Sequence, residues 1–486
     1  MTTCIQCNAS FEITDADQSL MAKYDVPEFT ICSDCRQQLR LIFRNERNLY
    51  QRICDLCRKS IVSIYSPDNT MPAACLPAGR AGQAFPVYCS EGWWGDGWDP
   101  CEYGREVDFS RPFFDQMKEL RKEVPVLANI VINSTNCEYN AFTVDSKDCY
   151  LSARAQGQDI LYSHLVIASN DMVDCLNAYN SQHCYECVDI WNCYQCHYSQ
   201  LCKNCSECDF CFDCIGCKNC FGSVGLRNKE YYFFNHPCTQ EEYKQYREQY
   251  SLSKYSTIRR IREKFYQEVV MKQPMRASVI VQSEDASGDY ISESHRIINS
   301  FDVEKSEDVS NSWGVEYSKD VAYSSFIYYG EQCYEQISNS HSSNILFSFS
   351  TFDSHDLSYC LQSFNNSHDC FGSISIKKKQ YCILNKQYTR EEYLALVPKI
   401  IAHMKAMGEW GKFLRPDLSQ FSYHETVAQE FFPLTREQAI KRGFSWYKKD
   451  DKQYQPQTAV LSDDITETQD HILHDILSCQ ECGRSF

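Results

Sequence analysis

The feature that most constrains the fold is a run of cysteines at every third position between residues 184 and 220. Ile190 and Ser199 fill two places in the run, and its members are Cys184, Cys187, Cys193, Cys196, Cys202, Cys205, Cys208, Cys211, Cys214, Cys217 and Cys220. Two interpretations compete, a metal cluster and a row of small buried side chains. A ferredoxin-type iron–sulfur run needs a three-residue step followed by Cys-Pro, and the sequence has neither here. We therefore favour buried cysteines, with an iron–sulfur cluster or redox centre as the alternative.

Similar short lines recur on both sides of this run. Ser134-Thr-Asn-Cys137 is followed by Ser146-Lys-Asp-Cys149, and Ser306-Glu-Asp-Val309 is followed by Ser318-Lys-Asp-Val321. Such lines are rich in polar and β-branched residues, have no helical period, and are typical of the sides of a β-solenoid. The sequence thus predicts a mainly β protein with a β-solenoid or parallel β-helix-like centre.

This centre is duplicated. Residues 220–243 match residues 370–393 without a gap, and each copy ends in a strand-like segment. Each copy then enters a helix through a capping box that begins at Thr239 or Thr389. In the second copy, the residues that correspond to the cysteine run are mostly Ser, Asn, Phe and Leu. Metal ligands seldom tolerate such exchanges, so the duplication favours a structural role for the cysteines.

The N-terminal segment carries two Cys-x-x-Cys pairs. Cys4 and Cys7 form the first pair, and Cys32 and Cys35 form the second. Two such pairs, a few tens of residues apart, can close a tetrahedral four-thiolate zinc site. Because a helix is predicted directly after Cys32, the arrangement is that of a treble clef.

A second module begins at Cys54 and Cys57. Its next half is Cys89, but the residue three positions later is Gly92 instead of a cysteine. Three thiolates do not close a structural zinc site by themselves. We expect Cys101 to supply the fourth ligand, and the alternatives are a site open to water and a site without metal.

Four arginines follow one face of the predicted helix in the first module. They are Arg36, Arg40, Arg44 and Arg47, spaced so that they lie above one another. One interpretation is a phosphate-binding face that contacts nucleic acid. The interpretation that we favour is a solvated face, or a face that docks on the acidic remainder of the chain.

The last pair of cysteines, Cys479 and Cys482, forms half of a zinc knuckle, and no second pair follows it. Two explanations stay open: the pair completes a site with another chain, or the gene product is truncated.

The bulk composition limits the protein class. The net charge of −17 argues against a surface coated for nucleic acid over its whole extent. The sequence contains neither a long apolar stretch of the kind that crosses a membrane nor a signal-peptide pattern. We therefore expect a cytoplasmic protein that does not contact a membrane, in a compartment where thiols stay free or bind metal.

These observations predict eight segments. They are zinc module 1 (1–52), zinc module 2 (53–125) with an inserted loop (73–86) that contains Cys75, the cysteine-rich first solenoid half (129–238), a helical segment (239–275), the second solenoid half (276–388), a second helical segment (389–447), a linker with an acidic tail (448–478), and the partial knuckle (479–486).

Three motifs are similar to a known family. They are the tryptophan-rich segment Cys89–Pro100, the segment Asp108-Phe-Ser-Arg-Pro-Phe-Phe114, and the cysteine-rich lines that end in Leu226-Arg-Asn-Lys-Glu-Tyr231. The chain resembles uncharacterised zinc-ribbon-containing proteins of uncultivated small-genome (candidate phyla) bacteria. The resemblance implies zinc binding and a cytoplasmic setting, with no known activity. It also implies departures in this chain: similar proteins have a cysteine at the place of Gly92, lack residues 73–86, and continue past the final knuckle.

We expect a non-enzymatic binding or scaffold protein that holds one or two Zn²⁺ ions and recognises an unknown macromolecular partner, protein or nucleic acid, in an unknown oligomeric state. Three alternatives remain. The first is a nucleic-acid or ribosome-associated factor that uses the arginine face. The second is a β-helix enzyme acting on carbohydrate, for which no acid–base pair of carboxylates stands out. The third is a metal-cluster or redox protein built on the cysteine run.

Overall fold

The computed structural model describes residues 1–67, 85–447, 454–480 and 482–485. The chain is mainly β, as predicted, with long parallel sheets. Its contacts divide it into two units, Met1–Ile130 with Arg276–Tyr447 and Val131–Met275 with Lys448–Phe486. Within the described ranges, none of the helices has the length and apolar character that a membrane span requires.

Two small modules open the chain, and each places a β-hairpin before a helix. Their elements are β1 (Thr2–Thr3), β2 (Ser10–Phe11), α1 (Asp15–Tyr24), α2 (Ser33–Leu41), β3 (Tyr50–Ile53), β4 (Ser60–Ser63), β5 (Val87–Tyr88), α3 (Ser90–Trp94), a 3-10 turn (Pro100–Tyr103), α4 (Phe113–Glu123) and β6 (Val126–Leu127). β1 pairs with β2 and β3 with β4, both antiparallel, whereas β5 and β6 are parallel.

The first ladder, residues 130–233, is a stack of short parallel strands. Its strands are β7 (Ile130–Ile132), β8 (Phe142–Val144), β9 (Ala153–Leu161), β10 (His164–Val173), β11 (Leu176–Tyr179), β12 (Gln182–Tyr185), β13 (Val188–Trp191), β14 (Gln200–Lys203), β15 (Lys218–Phe221) and β16 (Glu230–Phe233), and the short β17 (His236–Pro237) turns back on β16. Leu176 pairs with Val188, and Val188 pairs with Gln200. The chain therefore returns to the same register every 12 residues.

The backbone explains why the period of this region is three. Every third residue adopts a left-handed conformation; for example, φ is 55° at Asp189 and 52° at Asn192. Asn and Asp tolerate this conformation better than other residues with a side chain, which accounts for the many that directly precede a buried position. Between residues 183 and 220, the residue after each left-handed residue is buried, as at Ile190, Cys193, Cys196 and Ser199.

Two helices, α5 (Gln240–Gln249) and α6 (Tyr255–Lys264), follow the first ladder, and a π turn (Phe265–Val269) and a 3-10 turn (Val270–Lys272) continue α6. Thr239 and Glu242 form the predicted capping box of α5. Ile258, Ile261 and Phe265 pack on outward aromatic side chains of the ladder. Helix α6 thus covers one side of the first ladder.

The second ladder, residues 280–387, repeats this design in a 17-stranded sheet. Its strands are β18 (Ile280–Val281), β19 (Glu284–Ser292), β20 (His295–Glu304), β21 (Glu307–Ser310), β22 (Trp313–Glu316), β23 (Lys319–Ala322), β24 (Ser325–Tyr328), β25 (Glu331–Tyr334), β26 (Ile337–Ser340), β27 (Ser343–Leu346), β28 (Phe349–Phe352), β29 (His355–Ser358), β30 (Leu361–Phe364), β31 (His368–Phe371), β32 (Ile374–Lys377), β33 (Gln380–Ile383) and β34 (Lys386–Gln387). From β21 to β31, each strand pairs in parallel with the strand two places along, as Val309 does with Val321. The last strand, β34, turns back and pairs antiparallel with β33.

Helices and turns complete both units. After the second ladder come α7 (Arg390–Ala406), two 3-10 turns (Pro416–Leu418 and Tyr423–Glu425), α8 (Val427–Phe431) and α9 (Arg436–Lys441), and the C-terminal segment has 3-10 turns at Ile465–Glu467 and Asp470–His474. Thr389 and Glu392 cap α7 in the same way that Thr239 and Glu242 cap α5. The structure therefore preserves the duplication that the sequence indicates.

Two hydrophobic cores of the first unit involve the second ladder. Val303, Val309 and Val315 belong to the core inside the second ladder. The other core lies on the outside of this ladder, where Tyr334 and Phe347 pack together with Phe43 of the first module. The N-terminal modules are therefore integral parts of this unit.

Candidate metal centres

A hairpin turn holds the first cysteine pair in the geometry of a zinc knuckle. The N–H of Cys4 donates to the carbonyl of Ala9 at 2.9 Å, and the N–H of Asn8 donates back to the carbonyl of Cys4 at 2.9 Å. Asn8 takes the left-handed backbone, φ 63°, that closes this turn. Cys4 and Cys7 thus lie in one tight turn between β1 and β2.

The second pair approaches from the start of α2. Cys32 is the N-cap residue of α2, and Cys35 lies in its first turn. The four sulfurs of Cys4, Cys7, Cys32 and Cys35 lie within 4.8 Å of one another, and the Sγ atoms of Cys7 and Cys32 are 3.7 Å apart. A tetrahedron with metal–sulfur bonds of about 2.3 Å has edges of about 3.8 Å. The residues of this first centre therefore fit a tetrahedral metal ion.

Backbone donors favour the thiolate state at Cys4, whereas burial raises the pKa of Cys32 and of Cys35. Burial raises the pKa of Cys4, but the N–H groups of Cys32, Cys7 and Gln6 outweigh it and lower the pKa to about 6. The N–H of Cys32 lies 3.4 Å from the Cys4 sulfur. Because metal ligation requires deprotonated sulfur, the same N–H groups favour metal binding.

The second module repeats this construction. The N–H of Cys54 donates to the carbonyl of Lys59 at 2.9 Å, and the N–H of Arg58 donates to the carbonyl of Cys54 at 3.0 Å. Cys89 is the N-cap residue of α3, as Cys32 is of α2. The sulfurs of Cys54, Cys57 and Cys89 lie within 4.8 Å of one another, so the second centre holds three thiols.

The structure does not bring Cys101 to the second centre, contrary to our expectation. Its sulfur lies 4.0 Å from that of Cys382, and its side chain packs against the core inside the second ladder. The 3-10 turn Pro100–Tyr103 contacts β32 and β34 instead of the second module's hairpin. The predicted insert, residues 73–86, and Cys75 lie almost entirely outside the described residues, which resume at Phe85.

The C-terminal pair has the same knuckle. The N–H of Cys479 donates to the carbonyl of Arg484, and the N–H of Gly483 donates to the carbonyl of Cys479, both at 2.9 Å. Gly483 has φ 67°, which matches the left-handed residue of the other two knuckles. Cys482 is exposed. In the described part of the chain, this pair joins no larger group of potential ligands.

The cysteine run lies in the interior of the first ladder. All eleven of its side chains are at most 2% exposed, which confirms the prediction that they are buried. The Cys202 thiol donates to the carbonyls of Gln200 and Cys211 at 3.4 and 3.6 Å. Ser199 uses its hydroxyl in the same way, toward His197 and Cys208 at 3.0 and 3.3 Å. The thiols thus act as small core residues that also donate hydrogen bonds to buried carbonyl groups.

Two further observations bear on the metal-cluster alternative for this run. In the second ladder, Val303, Val309 and Ser306 are buried at the same period. Among the residues that the structure describes, clusters of three or more potential ligands occur at the two N-terminal centres, and the run forms none. The second ladder therefore shows that coils of this type close without a row of cysteines.

Two of the four arginines, Arg36 and Arg40, lie on α2 and are buried inside the first unit, which corrects the nucleic-acid interpretation for them. Arg36 and Arg40 donate to the two carboxylate oxygens of Glu335 at 2.5 and 2.7 Å. The Arg36 guanidinium packs against the rings of Phe29 and Tyr323, 3.7 and 3.5 Å from their centres. These arginines therefore dock the first module on β25 and the turn after it.

Arg44 and Arg47 lie beyond α2, which ends at Leu41 and is shorter than predicted, and they also have acidic partners. Arg44 is mostly buried and bonds to Glu46 and to the hydroxyl of Ser338. Arg47 is half-exposed and pairs with Glu430 at 3.3 Å. Sequence reasoning missed Glu335 itself, since it lies 299 residues from Arg36 and has no local signal.

Comparisons with known proteins add no further assignment: no family model, curated protein or solved structure matches this chain.

Proposed function

We propose that this protein is a zinc-binding, non-enzymatic scaffold. The observation that carries the proposal is the first centre, where four sulfurs from two turns lie within 4.8 Å of one another. Zinc is the metal that four-thiolate sites of this type hold in structural roles, and a closed site of four protein ligands leaves no position for a substrate. The cysteines of the described residues are all free thiols, which supports a reducing compartment such as the cytoplasm.

The role of zinc in this proposal is to hold the first module in its docked position. A metal at the first centre ties the β1–β2 hairpin to the start of α2. Arg36 and Arg40 of α2 form ion pairs with Glu335. Ile42 and Phe43, which follow α2, pack into the core outside the second ladder. Metal binding is therefore coupled to the packing of the aromatic side of this ladder.

We further propose that each ladder is a β-solenoid of 12-residue coils. The constant 12-residue register and the left-handed residue at every third position support this architecture, because four equal steps return the chain to its starting direction. A solenoid offers a long flat side for a partner. The stacked rings of Tyr317, Tyr329 and His341, at 4.8 and 4.6 Å, form one exposed row of this kind.

The proposal is tested with Cys35→Ser, which removes a buried ligand of the first centre, and with Cys238→Ser as the matched control outside both centres. We expect Cys35→Ser to lower the zinc content by about one ion per chain and to destabilise the first unit, since the module loses its crosslink. Zinc content and urea unfolding are measured on both variants. Unchanged zinc content in Cys35→Ser would show that the first centre does not hold the metal.

A further inference from the structure

The two metal centres have the same construction except at one position. In both, the first cysteine accepts from the backbone N–H of the third, at 3.4 Å from Cys32 to Cys4 and at 3.3 Å from Cys89 to Cys54. The second and third sulfurs are 3.7 Å apart in both centres. Cys35 completes the first centre, three residues after Cys32, and Gly92 stands at the equivalent position three residues after Cys89.

Gly92 has no side chain that could supply the fourth ligand of the second centre. A Cβ atom built on Gly92 would lie 3.3 Å from the sulfur of Cys89 and 2.9 Å from the Cδ2 atom of Leu56. Gly92 belongs to the right-handed helix α3, so the backbone does not require a glycine there. Among the described residues, the second centre gains no other Cys, His, Asp or Glu ligand.

The surroundings of this open place indicate what it can bind. Cys57 is exposed and Cys89 is half-exposed, so a metal at this centre faces solvent on one side. The nearby Glu91 side chain is 84% exposed and forms an ion pair with Lys59 at 3.6 Å. Because its carboxylate faces Lys59, Glu91 is not placed as a base for metal-bound water. Three thiolates make a soft ligand set, and soft metals in such sites favour a further sulfur ligand.

We propose that the second centre is an open three-thiolate metal site that takes a thiolate from outside the chain as its exchangeable fourth ligand. This inference rests on the proposed zinc function of the N-terminal modules. In the exchange, the incoming thiol gives its proton to solvent, its sulfur forms a bond to the metal, and a bound water leaves. Metal and sulfur keep their oxidation states, and the charge of the site becomes more negative by one.

The test uses the full chain reconstituted with Co²⁺ and titrated with 2-mercaptoethanol. Three variants are compared: wild type, Gly92→Cys, and Gly92→Ala, which adds the Cβ atom without the sulfur. We expect the thiolate-to-cobalt absorbance of the second centre to rise by about one third in wild type and in Gly92→Ala, because four cobalt–sulfur bonds replace three. Gly92→Cys is expected to show the higher absorbance from the start and not to respond to the added thiol.

The source of the fourth thiolate is tested by sedimentation. A small thiol leaves the mass unchanged, whereas a cysteine of a second copy produces a metal-dependent dimer in the absence of added thiol. The variant Cys479→Ser/Cys482→Ser tests whether the C-terminal knuckle supplies that cysteine. Either source supports an external thiolate.

Several results would overturn the inference. A wild-type spectrum that equals that of Gly92→Cys before thiol is added would show that the chain closes the site itself. If added thiol raises the absorbance only in Cys75→Ser or only in Cys101→Ser, the substituted cysteine is the internal fourth ligand and the chain closes the site itself. Cobalt at the first centre alone would refute the open site and leave the proposed zinc function intact, whereas binding at neither centre would refute the zinc function.

Discussion

The docking of α2 on Glu335 predicts the largest single-residue effect on stability outside the metal ligands. The side chains of Glu335, Arg36 and Arg40 are only 3%, 5% and 2% exposed. Glu335→Gln keeps the shape of the side chain but removes the one carboxylate that both guanidinium groups share. Breaking a buried ion pair in this way costs about 3–5 kcal/mol, because it leaves buried charge without a counter-charge.

Urea unfolding followed by tryptophan fluorescence measures this effect on the right unit, since six of the seven tryptophans lie in the unit that contains Glu335. The control is Glu331→Gln, an exposed residue at the start of the same strand, β25. We expect the control to change the free energy of unfolding by less than about 0.5 kcal/mol. Adding Arg40→Met to Glu335→Gln should recover part of the loss, as one unpaired buried cation is then removed.

The reasoning is refuted if Glu335→Gln is as stable as Glu331→Gln, or if the Arg40→Met addition makes the loss larger. In the first case the two arginines would be solvated or paired elsewhere. In the second, Arg40 would stabilise the docked module through packing of its stem and not through its charge.

Three further predictions concern the first ladder. Cys202→Val should leave the zinc content unchanged and lower the free energy of unfolding by less than about 1.5 kcal/mol, since it exchanges one small core residue for another. A loss of metal in this variant would show that the cysteine run binds metal. The hydrogen bond that His197 Nδ1 donates to the Asp209 carboxylate at 2.6 Å raises the pKa of His197 above its ordinary value, against the effect of burial. The interaction of protonated His197 with Asp209 therefore stabilises the folded state fully below the ordinary pKa of histidine, and this stabilisation is lost as the pH rises through the raised pKa. An NMR titration of Asp209→Asn should show a lower His197 pKa. Gly157→Ala should destabilise the ladder by about 3 kcal/mol or more, because the φ of Gly157 is 147° and an added Cβ would lie 1.8 Å from the carbonyl oxygen of Ser169. The control is Gly97→Ala, where an added Cβ meets open space. Equal thermal unfolding temperatures of the two variants would contradict the prediction.

The sequence predicted those features whose signal is local. The four ligands of the first centre follow from two Cys-x-x-Cys pairs, because a knuckle is a turn of a few residues whose geometry does not depend on distant contacts. The gap at Gly92 was visible for the same reason. The burial of the cysteine run was predicted because the second copy replaces the cysteines with Ser, Asn, Phe and Leu. The left-handed residue before each cysteine explains the period of the run, and this residue is Asn or Asp before Cys193, Cys205, Cys214 and Cys220.

Features that depend on distant pairs were not predictable. Cys101 was assigned to the second centre because it is near Cys89 along the chain, yet its sulfur neighbour is Cys382, 281 residues away. The arginine face has the spacing of a binding surface, and only the folded chain shows that Glu335 neutralises it. Spacing predicts which side chains share a face, but the partner of that face is set by tertiary packing.

The most direct test of the central claim is the metal content of protein purified without oxygen, measured by elemental analysis. The account predicts no more than about two zinc ions per chain and no iron, because the metal sites are the two N-terminal centres and the cysteine run is core. Iron, or several zinc ions beyond these two, would contradict the account and make the run from Cys184 to Cys220 a metal site.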